Sequence, residues 1–215
     1  MLYYIYLLIL VSSFLFSTYK FNTHPVHFKL LAVLLGICSF NEILAMPLFK
    51  YTRLISNIPI YNCYLLIETC FYALYFECII ESNKIKKLIL FFLFLFPIFW
   101  TYSTFYIFNI EKWNSYTAVI ESVFTISVSA IYYYQIFTAE KVKVLKYHPE
   151  FWVSTALILY YSFNLPYLGM LGFLIKNYLP LSRLFLTFLQ VLNIMMYSFF
   201  IYAFLCQTIT RKSLS

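Results

Sequence analysis

The sequence predicts an all-α, polytopic membrane protein, a seven-transmembrane-helix bundle built as a single domain over residues 1–215. Three observations predict it. Hydrophobic residues make up 63% of the chain and charged residues 11%, against roughly 45–50% and 25% in soluble domains. Seven apolar stretches have the roughly 20-residue length that a bilayer core requires, and the loops between them are short. Lysine and arginine are divided unequally between the two sets of loops.

The spans are expected at 2–19, 29–48, 58–80, 88–108, 116–139, 151–175 and 184–207. The first lacks a basic leader and a small-residue cleavage site, so it reads as a retained helix and not a signal peptide. The second carries Gly36, Cys38, Asn41 and Glu42. The third opens at Asn62 and carries Glu68 and Glu77, and the fourth is an apolar run. The fifth follows Asn114 and bears Glu121. The sixth opens at Phe151 and Trp152 and reaches Asn164 just before Pro166, where a kink would free a carbonyl. The seventh offers Thr187, Gln190, Asn193 and Tyr197. The short alternating segments of a barrel are absent.

Orientation follows from the basic residues. Lys50, Arg53, Lys112, Lys176 and Arg183 fall on one face. Lys20, Lys29, Lys84, Lys86, Lys87, Lys141, Lys143, Lys146, Arg211 and Lys212 fall on the other. The positive-inside bias puts the richer face in the cytoplasm, with the amino terminus outside and the carboxyl terminus inside. The net charge of +7 then reflects lysines facing anionic headgroups, and nucleic acid is not an expected partner.

Tyr and Phe are abundant, at 22 and 25 residues. They read as interfacial belts and as the usage of an AT-rich genome before they read as a ligand cage. With three glycines, Gly36, Gly169 and Gly172, tight small-residue crossings cannot be the general packing mode. Bulky side chains must separate the helices. The five cysteines, Cys38, Cys63, Cys70, Cys78 and Cys206, form no Cys-x-x-Cys pair and read as apolar core residues. His24 and His27 share a face with His148 and Glu150; they read as idle surface groups, since nothing in the sequence joins their loops. No metal or other cofactor is expected.

The acids are the most informative residues. There is no Asp, and four of the eight Glu residues, Glu42, Glu68, Glu77 and Glu121, fall within spans. Glu81, Glu111, Glu140 and Glu150 read as solvated loop groups. A charge at the bilayer centre costs at least ~2.5–3.5 kcal/mol on insertion scales, and no span interior holds a Lys or Arg. Glu77 lies within a turn of the cytoplasmic end and can reach the interface. Glu42, Glu68 and Glu121 crowd the middle and outer layers. Polar residues follow them in stripes at three- and four-residue steps. Asn114, Thr117, Glu121, Thr125 and Ser129 form one stripe. Tyr61, Tyr64, Glu68, Tyr72 and Tyr75 form another. The segments Ile67-Glu68-Thr69-Cys70-Phe71 and Ile120-Glu121-Ser122-Val123-Phe124 echo each other at similar depth.

Two readings of these groups stay open. Either they are interhelical hydrogen-bonding glue, or they line an outward-facing pocket for a small or cationic ligand. Enzymatic chemistry is not expected. The last span has no Schiff-base lysine, no span holds a histidine, and His-Glu-x-x-His, glycine-rich phosphate loops and Asp-rich metal motifs are missing.

The runs Asn57-Ile58-Pro59-Ile60-Tyr61, Trp113-Asn114-Ser115-Tyr116 and Phe151-Trp152, with the amide-bearing last span, resemble an uncharacterised seven-helix integral membrane protein family frequent in Bacteroidota. The resemblance implies a heptahelical inner-membrane protein with a sensory role beside histidine kinases. Where relatives carry histidine, this chain has Asn62, Gln190 or Asn193. The sequence therefore suggests a non-enzymatic sensor or signalling partner, with Glu42, Glu68, Glu121, Asn164, Gln190 and Asn193 as ligand-binding residues and a membrane partner such as a sensor kinase. A small proton- or cation-coupled transporter and a structural membrane subunit are the alternatives.

Overall fold

A computed structural model describes residues 2–51, 57–139 and 145–212. The described residues form seven α-helices, and each coincides with an expected span. They are α1 (Leu2–Thr18), α2 (Val26–Tyr51), α3 (Ile58–Ile79), α4 (Asn83–Tyr102), α5 (Ser115–Phe137), α6 (Pro149–Asn177) and α7 (Leu179–Lys212). Four apolar segments are long enough to cross a membrane: Val26–Leu44, Asn83–Phe108, Ser115–Phe137 and Leu184–Ile209. Helix α1 is apolar but has 17 residues.

The helix ends show what residue counting missed. Helix α2 begins three residues early because a 3-10 turn, Phe21–Thr23, hands the chain directly to it; His24 N–H bonds to Phe21 O at 3.1 Å. Only Tyr178 separates α6 from α7, so α7 starts well before position 184. Helix α4 holds Pro97, which removes an amide donor, and at Ser103 it widens into a π-helical segment, Ser103–Phe108. Reversals here do not use glycine. Lys20 (φ 57°) and Asn109 (φ 69°) take left-handed backbone, a conformation Asn tolerates better than Lys.

Packing runs α1 against α2, α2 against α3, α3 against α5, α5 against α6, α6 against α7, and α7 back against α1. These six helices close a ring, and α4 lies outside it against α3. Large aromatics fill the interior. Tyr72, Tyr75, Tyr161, Phe28, Phe76, Phe200 and Phe204 are almost wholly buried. Phe28 meets Phe204 edge-on with ring centres 5.1 Å apart and Tyr75 at 6.4 Å, the T-shaped geometry aromatic quadrupoles favour. Gly36 is the exception to packing by bulk. A Cβ there would stand 2.9 Å from Cε2 of Phe14, so the α1 ring lies directly on the α2 backbone.

Polarity is inverted relative to a soluble domain. Phe94 is 70% exposed and Tyr106 79%, whereas Asn62, Thr69, Asn114, Thr117 and Ser154 are fully buried. Large exposed apolar areas mark a surface meant for contact. The cysteines fit the core expectation only in part. Cys38 and Cys206 are buried, but Cys63 and Cys78 face outward and Cys70 is half-buried; all five are free thiols.

Filling the Gly36 contact should cost about 1–3 kcal/mol, the usual penalty of overpacking. Gly36→Val is expected to lower the unfolding midpoint in detergent titration, and Phe14→Leu in the same chain should recover part of the loss.

Candidate functional site

The acids divide into two groups. Glu42, on α2, is 8% exposed. Tyr61 OH of α3 donates to its Oε1 at 3.2 Å and Tyr3 OH of α1 to its Oε2 at 3.4 Å, and Tyr6 also bonds to it. Three tyrosines from two neighbouring helices thus close over one carboxyl.

Glu68 and Glu121 form the second group and lie within electrostatic reach of each other. Tyr72 OH donates to Glu68 Oε1 at 3.0 Å, one turn along α3, and Tyr64 bonds to the same carboxyl. Tyr161 OH of α6 donates to Glu121 Oε1 at 3.2 Å, and the Thr69 hydroxyl is also in reach of Glu121. The rings of Tyr72 and Tyr161 meet edge-on at 6.1 Å, which joins the two carboxyls' donors. Cys38 links the groups. Its Sγ lies 3.2 Å from Tyr197 OH, and it is in electrostatic reach of both Glu68 and Glu42. Among the described residues no Lys, Arg or His pairs with these three acids. Hydrogen bonds to charged groups contribute about 1.5–3 kcal/mol each, so tyrosine hydroxyls take the part a base would play.

The two matching segments are matched in structure too. Thr69 Oγ1 donates back to Leu65 O at 2.8 Å, and Ser122 Oγ to Ala118 O at 2.7 Å. Leu65 and Ala118 then meet in one apolar cluster with Phe96 and Trp100.

The interior is not equally closed. Glu121, Tyr72 and Tyr161 are buried, but Glu68, Tyr64, Tyr160 and Asn193 keep partial exposure. Asn193 of α7 hydrogen-bonds Tyr160 of α6, and Gln190 is half-exposed one turn earlier. Asn164 is 1% exposed, with neither its Oδ1 nor its Nδ2 partnered among the described residues. The antiparallel register set by Glu121–Tyr161 and Tyr133–Thr155 puts Asn164 level with Ile120 and Glu121. Helix α6 continues through Pro166. The structure therefore gathers Glu68, Glu121 and Asn164 into one layer and adds Asn193 through Tyr160. Glu42 stands apart in its own tyrosine cage.

Asn62 and Asn114 serve a different purpose. Asn62 Nδ2 donates to Ile110 O (3.0 Å) and Lys112 O (2.9 Å), and Asn114 N–H donates to Asn62 Oδ1 at 3.2 Å. Asn114 Oδ1 accepts from Ser103 Oγ at 2.9 Å and from Thr117 N–H at 3.2 Å, capping α5, while its Nδ2 donates to Thr104 Oγ1 at 2.9 Å. The π-helical turn brings Ser103 and Thr104 to this amide. Trp100 Nε1 adds a bond to Asn62 O at 2.9 Å. Together they clamp the 109–114 turn onto α3.

At the opposite end the histidines are not idle. His24 is buried, with Nε2 3.0 Å from Tyr19 O and its ring edge-on to Phe204. His27 Nε2 donates to Glu150 Oε1 at 3.1 Å, so Glu150 is paired across α2 and α6, not a solvated loop group. Burial alone would raise the Glu150 carboxyl, but the His27 bond, a backbone bond and the nearby His148 together hold it below the ordinary carboxylate value. A cleft of about 470 Å³ opens here, lined by His27, Glu81, Tyr132, Gln135, His148 and Glu150 among others. Gln135 shapes its wall, its Oε1 accepting from Glu81 N–H at 2.8 Å and its Nε2 donating to Ile79 O at 3.2 Å. Among the described residues no group of His, Cys, Asp and Glu is arranged to hold a metal ion. The sequence missed this cleft because the residues that build it come from five separate segments.

No protein-family model, curated protein or solved structure matches this chain.

Two outcomes follow from these contacts. Asn62→Ala strips donors from two loop carbonyls and should destabilise the protein by about 2–3 kcal/mol, read as a lower detergent unfolding midpoint. Because the Glu150 carboxyl is depressed in the folded state, its stabilising contribution is present above the unfolded value near ~4.3. It is lost as pH falls through the lower folded value. The stability gap between wild type and Glu150→Gln should accordingly narrow on acidification through that window; a gap that widens there contradicts the assignment.

Proposed function

We propose that this chain is a multi-pass inner-membrane protein crossing the bilayer seven times, amino terminus outside, and that it acts as a non-enzymatic sensor or signalling partner. Its interior layer of Glu68, Glu121 and Asn164, with Asn193 and Gln190 toward α7, receives a small cationic or hydrogen-bonding ligand. The inverted polarity of the bundle, its seven helices including four long apolar ones, and the lysine-rich loops on one side support the membrane reading. The observation that carries the recognition reading is the partly exposed Glu68 beside the buried Glu121 where, among the described residues, no base pairs with either and the Asn164 amide at the same level has no partner. Two acids in an apolar interior either share a proton or hold something positive.

Ligand binding in that layer changes the packing of α3, α5 and α6, and a membrane partner, such as a sensor kinase, reads the change through the basic loops. This agrees with the resemblance to the heptahelical family of Bacteroidota. Transport is the second reading, favoured by the closeness of Glu68 and Glu121, which suits them to passing a proton or cation.

The test is thermal unfolding of the purified protein with a panel of organic amines and monovalent cations. At least one should raise the wild-type midpoint by several degrees and have no effect on Glu68→Gln or Glu121→Gln at equal folded yield. Loss of folded yield without any ligand-dependent shift assigns the carboxyls to packing. Cation or proton flux in proteoliposomes that disappears in both variants assigns the chain to transport.

A further inference from the structure

Several buried Ser and Thr hydroxyls in this bundle spend their proton on the carbonyl one turn back, as Ser17, Thr69 and Ser122 do. Thr125, Ser129 and Ser154 do not. Each of the three is fully buried and, among the described residues, its hydroxyl has no partner; the same holds for the Tyr75 hydroxyl.

These four oxygens are not scattered. The antiparallel α5–α6 register puts Ser129 level with Ser154. The parallel α3–α5 register, set by Asn62 with Asn114 and Gln135 with Ile79, puts Tyr75 at the level of Ser129. Thr125 lies one turn toward Glu121. On the other side Tyr132 and Glu150 lie one turn beyond, in the wall of the cleft. Along α5, Glu121, Thr125, Ser129 and Tyr132 recur at steps of four, four and three, on one face. The eleven residues from Glu121 to Tyr132 cover about 16 Å. Buried polar groups without protein partners are met by internal water.

We propose that Thr125, Ser129, Ser154 and Tyr75 line a water file that carries protons between the Glu68–Glu121 layer and the cleft holding the His27–Glu150 pair. A proton leaves the carboxyl to the first water while another passes from the last water to the Glu150 carboxylate or the His27 imidazole. Only O–H and N–H bonds are made and broken, and one positive charge moves. The file rests on the preceding reading only in taking Glu68 and Glu121 as working acids.

Its test needs no ligand, so its failure is separate from failure of the recognition reading. In full-length protein in lipid, the protonated-carboxyl C=O infrared band is assigned by its loss in Glu68→Gln or Glu121→Gln, and its shift is timed after exchange into D2O. The triple variant Tyr75→Phe, Ser129→Ala, Ser154→Ala is expected to slow that shift at least tenfold. Ser129→Ala alone, which removes one oxygen and little volume, should slow it severalfold if the triple variant folds poorly. An unchanged rate in Ser129→Ala, or a wild-type chain with no exchangeable band of this assignment, overturns the file.

Discussion

Three glutamates that, among the described residues, pair with no base constrain everything else in this molecule. A carboxyl withdrawn from water must be neutral or generously hydrogen-bonded, and here the donors are phenols. Tyr3, Tyr6 and Tyr61 close on Glu42, Tyr64 and Tyr72 on Glu68, and Tyr161 on Glu121. A phenol brings a large apolar body with its single donor, so the residue that satisfies the acid also fills the ring of helices. That dual role makes the interior aromatic and keeps six helices at a spacing a Leu–Ala core would not hold.

The two ends of the bundle are built differently, and the difference follows from which polar groups are spent locally. At one end Asn62 and Asn114 use both halves of their amides on turn backbone, a capped helix and the π-helical hydroxyls. Those two amides have nothing left over for a ligand. At the other end His27 and Glu150 pair at the edge of a cleft, with Glu81 and His148 unspent on each other. Between them lie side chains with uncommitted hydrogen-bonding capacity, Asn164 foremost. Unused polarity of this kind is what the proposed recognition role requires, since a site can shift an equilibrium only through groups not already committed.

The tyrosines show how far a linear reading goes. Tyr61, Tyr64, Tyr72 and Tyr75 stand on one stripe of α3 as their spacing predicts, yet their abundance read as interfacial and compositional. Tyr106 and Tyr134 do lie exposed. Tyr72, Tyr161 and Tyr197, identical in type, are buried partners of Glu68, Glu121 and Cys38. Residue type cannot distinguish these uses, because a phenol suits either environment. His27 and Glu150 make the same point: 123 positions apart, they pair only because α2 and α6 start at the same end.

What the chain's order of residues determined by itself was the helical class, the number and approximate bounds of the helices, and which acids fall within them at mid-helix. Each of these depends on local apolar length and on a charge balance that holds wherever the helices pack. What the tertiary structure alone decided was adjacency: the closed ring, the separation of Glu42 from Glu68 and Glu121, the Asn62–Asn114 clamp and the cleft at His27. Those depend on helix rotation and register, which arise from side chains meeting across sequence distances that periodicity does not encode.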